Sequence, residues 1–421
     1  MNAPLAGRSA FLRMLSGAVA VQIILSASNF AVGLLLVRQT SDEQYGYYVL
    51  ITTAILFGTT LQGSFIQPPM IIRLTRAEAQ GRSDLIGGLL RDQRRMLPLV
   101  GVLLALVAGG FLVAGRLTLS IAAILACGAL AVVAALRREF FRMVLFAYRR
   151  PNDVLQSDVV YCILLVSGAF VATLTRVPAV VAATGLSLAG LVGGTLLGRA
   201  LWRHEPWNVH AAPGTLREIA PQGAWSGFGG TAHWLFSQGY GYVVAGAIDV
   251  TAVAALAATR LFTMPVALLS IGIGTLMLPT ASKWNRDHPP LVVLKRLALF
   301  ATGLAAAASC YLGVMWLARA WIFDHVLKKH FAGSDGLLLV WSLNAVVTVF
   351  RDQLLYFLSA RGLFRATSIL TASCAVVSLS SGFVLMGYLG AVGASLGLLI
   401  AEIINTLGIV ALSVREARRA P

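Results

Sequence analysis

The chain has 421 residues, of which 58% are hydrophobic and 12% are charged, and its mean hydropathy is +0.80. Soluble domains carry roughly twice this fraction of charged residues, so the composition excludes a water-soluble protein and predicts an integral membrane protein. The formal net charge of +16 suggests a nucleic-acid partner, but the placement of the basic residues argues against one.

Twelve stretches reach the length of about 20 mostly apolar residues that a helix needs to cross a membrane. In chain order they are 15–37, 47–67, 97–115, 122–147, 155–175, 178–198, 224–248, 252–279, 297–317, 337–360, 366–387 and 391–413. Each is predicted to be helical, because in lipid every backbone N–H and C=O must be bonded within its own segment.

Lysine and arginine are distributed unevenly between the two sides of the predicted membrane. Loops on the side of the N-terminus hold 22 of them, and loops on the opposite side hold 6. The positive-inside rule therefore places both termini in the cytoplasm, and the basic excess reports topology rather than nucleic-acid binding. The N-terminal stretch lacks a small-residue cleavage site, so we interpret it as a retained cytoplasmic tail.

A long polar segment divides the chain into two halves of six spans each. The predicted organisation is an N-terminal lobe over 1–202, a cytoplasmic linker over 203–222 and a C-terminal lobe over 223–421. A second basic segment, 71–95, is predicted to be an amphipathic helix lying on acidic headgroups, with a partner-docking site as the alternative.

The two halves resemble each other at an offset of about 210 residues. Polar stripes at helical spacing recur in span 1 (Gln22, Ser26, Asn29) and in span 7 (His233, Ser237, Tyr240). A repeat of six spans preserves orientation. It predicts two all-α lobes related by a pseudo-twofold axis along the membrane normal, with a binding site between them.

Five arginines lie inside predicted spans: Arg137, Arg138, Arg142, Arg260 and Arg351. On insertion scales each would cost about 2.5–3.5 kcal/mol at the centre of a lipid-facing helix. They are therefore expected to face a polar cavity, to pair with carboxylates, or to extend to the interface, as we predict for Arg137.

The repeat places Arg138 and Glu139 opposite Arg351 and Asp352. Either pair forms an ion-paired strut or faces the cavity, and sequence neighbours on a helix do not face each other, so pairing is expected across helices. Arg142 is one turn from Arg138, and two like charges at that spacing favour an anion site.

Arg260 has no carboxylate within one helical turn. We predict that it lines the cavity. The alternatives are an ion pair with Asp158 or Glu402, or extension to the outer interface. His233 is predicted to line the cavity or to couple transport to protons, and Asp158, Glu402 and Asp352 are the candidate coupling carboxylates.

The four cysteines lie singly in different apolar runs: Cys127, Cys162, Cys310 and Cys374. Without a CxxC or Cys/His spacing, we expect no metal site, no redox pair and no cofactor, and we interpret the thiols as small buried hydrophobes.

Several stretches resemble the multidrug/oligosaccharidyl-lipid/polysaccharide exporter superfamily. They are the pattern of Arg38, Tyr45, Gly46 and Tyr48 after span 1, REFFRMVLFAYRR in span 4, ATRLFTMPVALLSIGIGTLMLPTASK in span 8 and GAVGASLGLLIAEIINTLGIV in span 12. The last three are similar to the polysaccharide branch of that superfamily.

The resemblance implies a flippase for a lipid-diphosphate-linked oligosaccharide in a bacterial inner membrane, not an enzyme. It implies a cationic cavity formed by Arg260 and Arg351, with Arg138 and Arg142 at its cytoplasmic mouth. Gln22 and Asn29 stand in span 1 where some members carry a charge. The expected partners are the glycan lipid, membrane lipids, a polymerase and other glycan-assembly proteins.

Two other function classes remain open. A multidrug or cation antiporter of the same superfamily would need an acidic cavity, whereas the interior charge here is rich in arginine. A membrane-embedded polysaccharide polymerase or acyltransferase would need a large outer loop or a histidine cluster near the end of a span, and the sequence contains neither.

Overall fold

The computed structural model describes residues 3–115 and 118–419, and every regular element in these ranges is helical. The α-helices of four or more residues are α1 (Ala3–Gln39), α2 (Asp42–Arg76), α3 (Ala79–Val113), α4 (Leu119–Ala147), α5 (Pro151–Thr173), α6 (Pro178–His204), α7 (Thr215–Gln238), α8 (Tyr240–Ala247), α9 (Val250–Arg260), α10 (Met264–Asp287), α11 (Pro290–Leu317), α12 (Ser334–Ala360), α13 (Phe364–Leu389) and α14 (Ala391–Arg419).

Eleven stretches of the described helices are long and apolar enough to cross a membrane, which confirms an all-α, multi-pass membrane protein. The predicted span 224–248 is not among them, and in the structure it is divided between α7 and α8 at Gly239. A Cβ at Gly239 would lie 2.6 Å from the carbonyl oxygen of Leu235, so the interruption requires a glycine.

The described chain forms two compact units, Met1–Thr231 and Ala232–Pro421, with the division inside α7. In the first unit, α4 packs against α2, α3 and α6, and α5 packs against α1 and α6. In the second unit, α12 packs against α9, α10, α11 and α14, and α13 packs against α8 and α14. The two units therefore use one packing scheme, as expected for an internal repeat.

The prediction that segment 71–95 forms a helix on the lipid headgroups is wrong. Its second half is the start of α3, and the apolar residues there are buried in the core of the first unit: Leu85, Ile86, Leu89 and Leu90. The same core cluster includes Phe140 of α4 and Leu197 of α6. An amphipathic pattern shows that one face is apolar, but a protein core and a lipid surface satisfy that face equally.

The polar linker is held against the same part of α3. The backbone N–H groups of Gly214 and Leu216 donate to the carboxylate of Asp92, and Arg91 Nη1 donates to the Ala211 carbonyl at 2.8 Å. A Cβ at Gly87 would lie 2.0 Å from a linker carbonyl oxygen, so only glycine permits this approach. The linker and the start of α3 therefore form a packed structure within the first unit.

The predicted span 252–279 is interrupted directly after its arginine. Helix α9 ends at Arg260, a 3₁₀ turn covers Leu261–Thr263, and α10 begins at Met264 with Pro265 in its first turn. Proline has no N–H to donate and fits the first turn of a helix, which explains why the new helix starts there. The break leaves Arg260 at the end of a short helix.

Candidate functional site

Arg138 is the centre of a buried ion cluster in the first unit. It lies on α4 with 8% of its surface exposed, and its Nη2 donates to Oδ1 of Asp158, a fully buried residue of α5. The guanidinium also lies 3.7 Å from the ring centroid of Tyr161. Both contacts stabilise a charge that would otherwise be very costly to bury.

Two consecutive glycines of α6 make room for this arginine. A Cβ at Gly193 would lie 3.2 Å from Arg138 Cδ, and a Cβ at Gly194 would lie 3.3 Å from its Cα. Ser157 of α5 donates to the Gly193 carbonyl at 3.0 Å, which further joins the helices around the cluster. Small residues at this position let the helices approach closely.

Arg142 completes the cluster. Its Nε lies 3.3 Å from Asp158 Oδ2, and its Nη1 lies 3.4 Å from Glu139. Asp158 therefore lies between the two arginines, which explains how two like charges one turn apart are tolerated. Two guanidiniums and two carboxylates give a formally neutral cluster. Arg137, by contrast, is exposed.

Arg351 occupies the corresponding position in the second unit, but its partners differ. Nη1 lies 2.7 Å from Oε1 of Glu402 on α14, and Nη2 lies 2.8 Å from Oδ1 of Asp352. The expectation that Arg351 would not pair with its sequence neighbour is wrong, because the long arginine side chain lets its two terminal nitrogens reach different helices. Ser270 of α10 donates to Asp352 Oδ2 at 3.1 Å. This cluster carries one more carboxylate than guanidinium.

Arg260 has a different environment from these two arginines. It is half-buried, and its Nη1 donates to Oε1 of Gln238 and to the hydroxyl oxygen of Tyr240, both at 2.9 Å. Its guanidinium carbon lies 5.1 Å from the ring centroid of Trp341, which is 1% exposed. Glu402 is not its partner, and among the described residues of its own unit no carboxylate lies within ion-pair distance of it. Its positive charge is therefore held by uncharged groups.

The remaining predicted site residues have separate environments. Gln22 is half-buried on α1 and its Nε2 donates to Ser26 Oγ at 3.4 Å, so this part of the polar stripe shares one face. Asn29 of α1 and His233 of α7 are exposed. Within the described residues, no group of three His, Cys, Asp or Glu side chains could hold a metal ion.

Sequence reasoning did not identify Gln238 or Trp341 as site residues. Gln238 lies between two members of the span 7 stripe, Ser237 and Tyr240, and this position was a usable signal. Trp341 had no such signal, because a tryptophan in an apolar run is most often a core residue. Its contact with Arg260 depends on the packing of α12 against α9.

The structure is similar to solved transporters at low sequence identity. An inward-facing multidrug resistance MATE family transporter of the MOP superfamily matches with a TM-score of 0.75 and 14% identity, over 94% of both chains. The lipid II flippase MurJ in an inward closed conformation matches with a TM-score of 0.74 and 12% identity, over 94% of this chain and 87% of that one.

A third structure, a MATE protein in the straight conformation, matches with a TM-score of 0.68 and 14% identity, over 97% and 96% of the two chains. No protein-family model and no curated protein matches the sequence. The chain therefore has the two-lobed, all-α fold that MATE and lipid II flippase structures share.

Proposed function

We propose that the chain is a flippase that moves an undecaprenyl-diphosphate-type oligosaccharide from the cytoplasmic to the outer face of a bacterial inner membrane by alternating access. The observation that carries the proposal is the charge of Arg260, which has only uncharged described partners inside a membrane-spanning segment. An anionic ligand would compensate this charge, and a diphosphate is well suited to an arginine fork.

The other arginines receive different roles in this proposal. Arg138, Arg142 and Arg351 already have carboxylate partners within their own units, so we assign them first to holding helices together. Arg260 is then the principal contact for the substrate anion. The exposed polar side chains of Asn29 and His233 are proposed to contact the hydrated glycan, which needs hydrogen bonds rather than charge.

A second candidate function, multidrug or cation antiport, has one observation in its favour. The cluster of Arg351, Glu402 and Asp352 has one surplus negative charge. In an antiporter that charge would bind a cationic substrate, whereas in the flippase it makes Glu402 and Asp352 better candidates for coupling to an ion gradient than Asp158, which two arginines contact. No observation favours a polymerase or acyltransferase.

The proposal is tested by glycan display in cells whose own flippase is replaced by variants of this chain. Loss of a charge-assisted hydrogen bond costs about 1.5–3 kcal/mol, so R260A is expected to lower display roughly 10- to 150-fold at equal protein level. R260K keeps the charge without the fork and is expected to restore display only in part. The matched control is R361A, which removes an arginine of the same unit that pairs with Glu416 at 3.0 Å; it should retain display. Unchanged display in R260A would refute the assignment.

A further inference from the structure

Helix α7 ends at Gln238 and α8 begins at Tyr240, yet both side chains bond the same nitrogen of Arg260. In an uninterrupted helix, two residues separated by one other point about 200° apart and do not reach a common partner. Gly239 itself keeps helical dihedrals (φ −60°, ψ −27°) and donates its N–H to the Leu235 carbonyl. The long side chains of Gln238 and Tyr240 nevertheless both reach Arg260 Nη1.

The two bonds use one end of the guanidinium and leave the other open. Nη1 carries two hydrogens, and Gln238 and Tyr240 accept them at 2.9 Å each. The remaining three N–H groups, on Nε and Nη2, have no acceptor among the described side chains and carbonyls. Nε and Nη2 form the side of the fork that binds two oxygens of one carboxylate or phosphate.

We propose that Gln238 and Tyr240 are positioning residues that hold Arg260 through Nη1 with uncharged oxygens, so that its Nε–Nη2 edge and its full positive charge remain available to a phosphate group of the substrate. This inference rests on the proposed function and deepens it. Trp341 supports the arrangement, because its buried ring packs 5.5 Å from the Tyr240 ring and beneath the guanidinium.

Because Gln238 is uncharged, its bond to Arg260 leaves the positive charge of the arginine uncompensated. Arg138 and Arg351 show the effect of a carboxylate at this distance. Each forms an ion pair within the protein, so its positive charge is compensated without a ligand. Replacement of Gln238 by glutamate is nearly isosteric and keeps the bond to Nη1, but it cancels the charge that the phosphate needs. Q238E is therefore expected to strengthen the bond between residue 238 and Arg260 and yet to abolish phosphate binding by Arg260.

The test uses the full-length protein in phosphatidylcholine vesicles and measures the initial flipping rate of a fluorescent prenyl-diphosphate disaccharide. Q238E is expected to lower the rate as much as R260A does, roughly tenfold or more, while its melting temperature in detergent is unchanged or higher. Y240F removes one bond and is expected to lower the rate only about two- to tenfold. Q238L, which removes the acceptor without adding charge, should fall between wild type and Q238E.

Competition separates the sources of phosphate. Inorganic pyrophosphate is expected to slow flipping by the wild type. Because the site is proposed to select the diphosphate, addition of phosphatidylglycerol to the vesicles is expected to leave the flipping rate unchanged. Equal inhibition by phosphatidylglycerol would overturn that selectivity and assign the edge to lipid headgroups.

The outcomes distinguish this inference from the proposed function. Wild-type flipping in Q238E together with loss in R260A overturns the role of Gln238 and leaves the function standing. Equal losses in Q238L and Q238E overturn the charge argument. Wild-type flipping in R260A overturns the proposed function itself.

Discussion

Replacement of Asp158 by alanine should lower the free energy of unfolding by an amount that follows directly from the contacts of this residue. This carboxylate is fully buried and lies between Arg138 and Arg142. Its removal leaves the buried Arg138 without its described carboxylate partner. Breaking a buried pair in this way costs about 3–5 kcal/mol, mostly because an uncompensated charge remains.

A matched exposed pair gives the reference value. Arg73 and Glu218 form an ion pair at 3.1 Å, with 35% and 68% of their side chains exposed. Exposed pairs contribute about 0–1 kcal/mol, so E218A should be nearly neutral. The difference between the two single variants is therefore expected to be several kcal/mol.

The assay is thermal unfolding of the purified protein in detergent, followed by tryptophan fluorescence. D158A should lower the melting temperature by on the order of 10 °C, and E218A by about 2 °C or less. The double variant D158V/R138M, which removes both charges and puts apolar side chains of roughly similar size in their place, should recover most of the loss. A D158A protein as stable as E218A would refute the reasoning that the cluster compensates a buried charge.

Three further predictions concern packing, a helix cap and topology. G193V should destabilise the first unit by about 1–3 kcal/mol, because its side chain would overlap Arg138, and a variant that melts like wild type would contradict the close contact. Asp249 caps α9, and hydrogen bonds from the Thr251 hydroxyl and the Ala252 N–H hold its pKa below the ordinary value. D249A should cost about 0.5–2 kcal/mol at neutral pH, and this contribution should be lost as the pH falls below about 4, whereas D249N should show no such pH dependence. Reporter fusions in the segment 203–222 should report a cytoplasmic position, and an external signal would overturn the predicted orientation.

The fold was largely predictable because its signals are local. Length and apolarity identify membrane-spanning helices without knowledge of their neighbours. The predicted spans correspond to the described helices except at Gly239, where α7 and α8 separate, and after Arg260, where α9 ends. The repeat was visible in polar spacing, and the two units use the same helix packing. The apolar face of α3 was misassigned because its pattern does not identify the medium that covers it.

The site was only partly predictable because its contacts are between helices. The sequence indicates that buried arginines need partners, but not that Asp158 serves two of them or that Asp352 pairs with its own neighbour. It also does not indicate that Arg260 is held by Gln238, since that bond joins residues of two different helices. The residue types limit which partners each arginine can have, and the packing of the helices determines which of these partners it contacts.

The central claim is that the substrate is an anionic lipid rather than a cationic drug. The most direct measurement compares two probes with the same reconstituted protein: flipping of a fluorescent prenyl-diphosphate disaccharide and accumulation of ethidium driven by an ion gradient. We expect flipping of the diphosphate lipid, dependent on Arg260, and no ethidium transport. Transport of ethidium without flipping of the diphosphate lipid would contradict it.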